Sequence, residues 1–259
     1  MKRLSILFIL IFIAALTFGC NSDESTNESN PGSVNLERQD QVQLIASALT
    51  SGSGGIGDDL DSVSQAANGD VERRDNLQNM SASLNISVEL DFYDAEDNLQ
   101  SGYDPDTTDR IDYESLISGE IRDSGGYFKD LTVDNRSDFS VTNILSRIAM
   151  VDGTHTNFSS YTRNQQLPPA EVKFEMDSEL VLTAVTVDLD ASDNFPESGT
   201  LEGTFSGLLE KIGVGWSEVK EFDFHFICTY VGDNTAEILL DDGTIWTIHL
   251  DTGEVVEQD

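Results

Sequence analysis

Leu84-Asn85-Ile86-Ser87-Val88-Glu89-Leu90-Asp91-Phe92-Tyr93 alternates large apolar residues with polar or charged ones along its whole length. Successive side chains of a strand leave on opposite faces. A period of two therefore puts Leu84, Ile86, Val88, Leu90 and Phe92 on one face and Asn85, Ser87, Glu89, Asp91 and Tyr93 on the other. This is the signature of an antiparallel strand with one face buried and one in water. Similar runs follow at about 110–121, 126–133, 139–151, 154–163, 171–176, 180–190, 200–210, 219–231, 235–241 and 244–250. Asp152-Gly153, Asp242-Gly243 and Thr252-Gly253 read as turns between them, and Pro168-Pro169 as a longer loop. The fold class is mainly β: about ten antiparallel strands in a meander over residues 81–259, forming a sandwich, a barrel or a curved sheet. A βαβ rhythm is missing, which disfavours a nucleotide-binding α/β fold.

Upstream, residues 34–80 read as a short helical segment at the N-terminus of the β domain. Val42, Ile45, Ala46 and Leu49 fall on one helical stripe within 36–49, and Leu60, Val63 and Ala67 mark a second helix over 58–67. Between them Gly52-Ser53-Gly54-Gly55-Ile56-Gly57 has the glycine content of a phosphate cradle. It follows a helix instead of a strand and runs into Asp58-Asp59, whose charge would repel phosphate, so it reads as a linker.

The first 33 residues carry an address. Met1-Lys2-Arg3 is basic, and residues 4–18 (LSILFILIFIAALTF) contain no charge. Fifteen residues are short for a bilayer span and right for the apolar core of a signal peptide. The run ends Leu16-Thr17-Phe18-Gly19-Cys20, which resembles the lipobox of bacterial lipoproteins, with Thr17 where Leu is commonest. That resemblance implies a signal peptide of residues 1–19, cleavage after Gly19, and acyl chains such as palmitate on Cys20. It also implies a lipid-anchored place in the bacterial cell envelope. Asn21, where the inner-membrane retention signal has Asp, favours the outer membrane if the host is Gram-negative. Cleavage leaves 240 of 259 residues and, by removing Lys2 and Arg3, takes the formal charge from −34 to −36. Residues 20–33 have no apolar side chain after Cys20 and read as a disordered tether. Its r.m.s. span of about 20 Å exceeds a Debye length of about 8 Å, so repulsion between an acidic domain and an anionic membrane is screened.

The charge also limits partners. With 48 Asp and Glu against 14 Lys and Arg, no basic cluster larger than Arg73-Arg74 exists. Nucleic acid and a polybasic membrane contact are both excluded on that ground. The expected partners are the membrane through Cys20, and an envelope protein, a glycan or a small apolar ligand.

Signals for chemistry are sparse. With Cys20 acylated, Cys228 is the only remaining thiol. It shares a strand face with Phe222, Phe224, Phe226 and Tyr230 and reads as core, with His225 on the opposite face. His155, His225 and His249 show no metal-ligand spacing, and there is no Gly-X-Ser-X-Gly elbow. Acidic turns raise calcium as a candidate ligand: Asp104-Pro105-Asp106-Thr107-Thr108-Asp109 and Asp188-Leu189-Asp190-Ala191-Ser192-Asp193 space oxygen ligands alternately. Neither has the glycine or the terminal Glu of an EF-hand loop. Tyr93, Tyr103, Tyr113 and Trp216, the last placed in a loop, are candidates for sugar stacking and, more simply, for packing. Asp94-Ala95-Glu96-Asp97-Asn98 is echoed by Asp190-Ala191-Ser192-Asp193-Asn194, which suggests either a duplicated half or shared turn chemistry. The expected function is a non-catalytic binding or structural module of the envelope, with a carrier of lipid or another apolar ligand and a tethered hydrolase as alternatives. No catalytic or metal-binding residue is assigned, and no cofactor beyond the calcium candidate.

Overall fold

The computed structural model describes residues 36–50, 56–69, 82–121, 128–166, 169–191 and 195–258. The signal peptide, Cys20 and the tether lie outside these residues, as do 52–55 of the glycine-rich linker and 34–35 and 70–80 of the helical segment. Two helices, α1 (Arg38–Leu49) and α2 (Ile56–Ala67), precede the strands β1 (Ala82–Asp94), β2 (Leu99–Gln100), β3 (Thr108–Ile121), β4 (Phe128–Thr142), β5 (Ile148–Gln166), β6 (Pro169–Asp188), β7 (Pro196–Gly213), β8 (Trp216–Gly232), β9 (Thr235–Leu240), β10 (Ile245–His249) and β11 (Glu254–Glu257). All eleven strands form one antiparallel sheet in the order β11-β10-β9-β8-β7-β6-β5-β4-β3-β1-β2. The sheet stays open and does not close into a barrel. Only β2 breaks the nearest-neighbour meander, folding back along the outer side of β1.

One sheet face is covered and the other is open to water, as the alternation requires. Phe222, Phe224, Phe226, Cys228 and Tyr230 are all buried on the covered face. Tyr161, Phe174, Phe222, Phe224, Phe205 and Phe226 run across it as successive ring contacts with centroids 5.3–6.3 Å apart. Such offset contacts add to the burial of each ring. Both helices present apolar stripes: Val42, Ile45, Ala46 and Leu49 of α1 and Ile56, Leu60, Val63 and Ala67 of α2 are buried. Helix α1 lies against α2 and β11, and α2 against β4. At its start, Arg38 pairs with Asp242 in the β9–β10 turn. Burial pushes the Asp40 carboxyl up from its ordinary range, with Lys220 and Lys211 opposing that shift. No helix among the described residues is long and apolar enough to cross a membrane.

The strands are longer than the sequence pattern predicts, and the breaks fall elsewhere. Asp152-Gly153 is no turn; it sits inside β5 at a register shift between Val151↔Val185 and Gly153↔Leu182, where β6 carries one extra residue. Asp152 accepts the Ala184 N–H at 2.8 Å, and Ala184 takes φ +49°. Gly153 (φ +151°) and Gly199 (φ +107°) flank this bulge, and a Cβ on either would strike the neighbouring strand's backbone. A β-bulge thus uses the same Asp-Gly chemistry as a turn. The actual reversal is the 3₁₀ turn Ile144–Ser146 between Asn143 and Arg147, both at φ +62°. Runs 171–176 and 180–190 are one strand, β6. Pro169 already pairs with Gln166 and opens β6, so it does not lie in a long loop. Trp216 opens β8 opposite Gly213 and is not in a loop.

Candidate functional site

Registers chained across the sheet give one row on the covered face: Val88, Ser115, Ser137, His155, Leu180, Gly203, Phe226 and Leu240. Its middle is polar, and α2 meets it with Asp59. Ser137 Oγ donates to Asp59 Oδ2 at 2.5 Å. His155 Nδ1 lies 2.8 Å from Ser137 Oγ and 3.1 Å from Asp59 Oδ2. Tyr113, two residues along β3 from Ser115, donates its hydroxyl to Asp59 Oδ1 at 3.3 Å. Exposure is 6% at Asp59, 1% at Ser137, 2% at His155 and 2% at Tyr113, so the set is sealed between helix and sheet.

Serine, histidine and aspartate are the parts of a nucleophilic triad, but the wiring differs. A triad places the serine on one ring nitrogen and the carboxylate on the other, so that the imidazole takes the hydroxyl proton. Here both partners share Nδ1, and the serine hydroxyl proton points at the carboxylate. Assigned from this network, Nδ1 carries the hydrogen and shares it between Asp59 and Ser137. The arrangement satisfies four buried polar groups with one another, which leaving them unpaired would make costly. In chemical terms it can hold a helix in place. Next to it, Asn157 donates from Nδ2 to Asn135 Oδ1, while the Asn157 Oδ1 atom is buried without a partner.

Of the residues singled out by sequence, His155 and Tyr113 join this cluster. His225 stands on the open face, with Nε2 2.9 Å from Glu202 Oε1 and Nδ1 3.3 Å from Asp241 Oδ1. His249 is exposed at the end of β10. The three histidines are therefore not brought together, and no group of three or more His, Cys, Asp or Glu among the described residues is placed to hold a metal. Cys228 is core, and burial pushes its thiol up to about 12.

The acidic turns are organised by their own backbone. Asp104 Oδ1 accepts the Asp106 N–H at 2.9 Å, and Asp188 Oδ1 accepts that of Asp190 at 2.9 Å. Asp190 in turn pairs with Arg147 at 3.0 Å. Asp94 Oδ1 takes the N–H groups of Glu96 and Asn98, and the hydrogen bonds from Asn98 hold its carboxyl below the usual range. The two echoed motifs are used two residues out of step: Asp94 and Asp188 end their strands, whereas Asp190, the aligned residue, is an ion-pair partner. That offset fits shared turn chemistry better than duplication. Residues 192–194 lie outside the described set.

The tyrosines serve the helix. Tyr103 donates to the Ala67 carbonyl at 2.8 Å and meets Phe92 edge-on, and Tyr113 stacks on Phe139. Tyr93 lies under the Arg110 guanidinium at 3.9 Å. A cavity of about 200 Å³ opens on the sheet at Thr132, Ser160, Lys173, Glu175 and Leu208, below the 300–1,000 Å³ or so of a small-molecule site.

Sequence reasoning missed Asp59, Ser137 and Tyr113 as one constellation. A signal existed: Ser115, Ser137 and His155 hold covered-face positions of their strands. Asp59 falls on the apolar stripe of α2, four residues before Val63 and three after Ile56. Compared with known proteins, the chain matches no family model, no curated protein and no solved structure.

Proposed function

We propose that this protein is a lipid-anchored component of a bacterial cell envelope, held at the membrane by acyl chains on Cys20 and carrying a non-catalytic binding or structural domain. The anchor reading rests on the apolar leader, the Gly19-Cys20 junction and the polar tether. The domain reading is carried by one observation: the only described Ser, His and Asp that meet are sealed under α2 and share a single ring nitrogen. The carrier alternative fares less well, because α1 and α2 occupy the covered face where an apolar ligand would lie. The test is Cys20→Ala in the full chain. The substitution is expected to abolish incorporation of radiolabelled palmitate and to release the protein from the membrane fraction. Unchanged fractionation and labelling would falsify the anchor.

A further inference from the structure

The sheet has two edges, and they are finished differently. The β11 edge is four residues long and is followed by Gln258, whose N–H bonds the Ile245 carbonyl and whose side chain bonds Thr247. Strand β1 is 13 residues long, yet β2 pairs only with Phe92 and Tyr93. Residues 82–91 therefore have no described strand beyond them, a free edge of about 33 Å at 3.3 Å per residue. The Asp94 N–H bonds Asn98 on the β2 side, so alternation points the N–H and C=O groups of Leu90, Val88, Ile86 and Leu84 out of the sheet at this edge. The covered face tells the same story. Val88 is exposed and Leu90 part-exposed, whereas the residues that follow them in their rows, Ser115 and Tyr113, are buried, and Ile86 and its neighbour Ile117 are both part-exposed. One strand's width of covering side chains is missing there. Natural edges are usually blunted by Pro, charged side chains, a bulge or shortness. Residues 82–91 contain no Pro, and their two charges, Glu89 and Asp91, are both acidic, which guards the edge against an acidic strand and not against a basic one.

The open face beside this edge selects the occupant. Glu89, Glu114 and Asp138 stand in one row on adjacent strands, all exposed, and Asp91 faces Asp112 in the next row. Like charges directly opposite one another across strands are unfavourable, and none of Glu89, Glu114 and Asp138 has an ion-pair partner among the described residues. A second copy would add its own Glu89 and Asp91 to this edge and bring a formal charge of −34 against −34. We infer that the β1 edge binds an extended, basic polypeptide segment by strand addition, its apolar side chains extending the Ile86, Val88, Leu90 stripe and its Lys or Arg side chains meeting Glu89, Asp91 and Glu114. The inference rests on the binding-module reading and not on the anchor, so it is tested on the Cys20→Ala full chain, and its failure leaves the membrane test standing.

The probe is a ten-residue peptide alternating Lys and Val, followed by fluorescence anisotropy and by hydrogen exchange. Binding that weakens with salt and protects the amides of Ile86, Val88 and Leu90 is expected. Val88→Pro removes an outward-pointing N–H that no described strand accepts, so the chain should keep its melting temperature and bind up to about tenfold more weakly, as loss of one backbone hydrogen bond implies. Glu89→Lys with Glu114→Lys should reverse the preference toward a Glu-Val peptide. Equal binding of the Lys-Val and Glu-Val peptides by the unaltered edge, equal binding by Val88→Pro, or protection confined to β11 would each overturn the inference. Sedimentation showing a dimer that Val88→Pro dissociates would assign the edge to a second copy and overturn it as well.

Discussion

Between β3 and β9 a single row of the covered face changes character. Ser115, Ser137 and His155 occupy it on β3 to β5, and Leu180, Gly203, Phe226 and Leu240 on β6 to β9. Both halves are buried, by different physics. On the apolar half the Phe226 ring lies over Gly203, where a Cβ would strike both Phe226 and Leu180, and stacks on Phe205 at 5.7 Å. Its stability comes from removing apolar area from water and is non-directional. On the polar half, burial is tolerable only because Asp59 descends from α2 and closes the hydrogen bonds. The apolar half would accept any well-shaped cover; the polar half accepts a helix with one carboxyl at one position. The difference teaches that register between helix and sheet is specified by the polar half, while most of the free energy resides in the apolar half.

The largest expected effect is on the apolar side. Phe226→Ala should cost about 3–5 kcal/mol in urea unfolding, and a loss under about 1 kcal/mol would mean that the aromatic ladder is not continuous. Asp59→Ala should follow, at about 2–3 kcal/mol, because it strands Ser137, His155 and Tyr113 without their acceptor. Unlike Phe226→Ala, it should also speed hydrogen exchange selectively in α2. Third is a pH effect. The Cys228 thiol, pushed up to about 12 by burial, stays protonated when the unfolded thiol ionises near pH 9. Through this group stability should be unchanged at lower pH and fall by about 1.4 kcal/mol per unit from pH 9 toward 12, and Tyr230, whose hydroxyl burial likewise holds well above its ordinary value of 10, should steepen the fall above that pH. Cys228→Ala should lower stability overall and flatten that slope; an unchanged slope would show that other groups cause it. The smallest effect belongs to the open face: Glu202→Gln, which removes a partner of His225, should change stability by no more than about 0.5 kcal/mol.

Strand alternation was legible from residue types because burying one face of a sheet demands it. Thus Phe222 to Tyr230 and the stripes of α1 and α2 were placed correctly. Where turn residues served another purpose, the reading failed. Asp152-Gly153 has the chemistry of a turn, and only the collision awaiting a Cβ at Gly153 and the partner bulge at Ala184 show why it is a bulge. Asn143, which tolerates the left-handed region, and Arg147, which rarely adopts it, make the real reversal through positive φ, and a lone Asn inside an alternating run did not mark it. Asp59 was hidden for another reason: its partners are 78 and 96 residues away in the chain. Local pattern can flag a polar residue on an apolar stripe, but pairing over that separation is decided by strand order and register.

The claim that the Asp59, Ser137 and His155 set is a clasp between helix and sheet is tested most directly by a double-mutant cycle on Asp59→Ala and His155→Ala, read as unfolding free energies. The two substitutions should couple by about 1 kcal/mol or more, within the range for residues sharing a buried network. Additivity within about 0.3–0.5 kcal/mol would contradict the clasp.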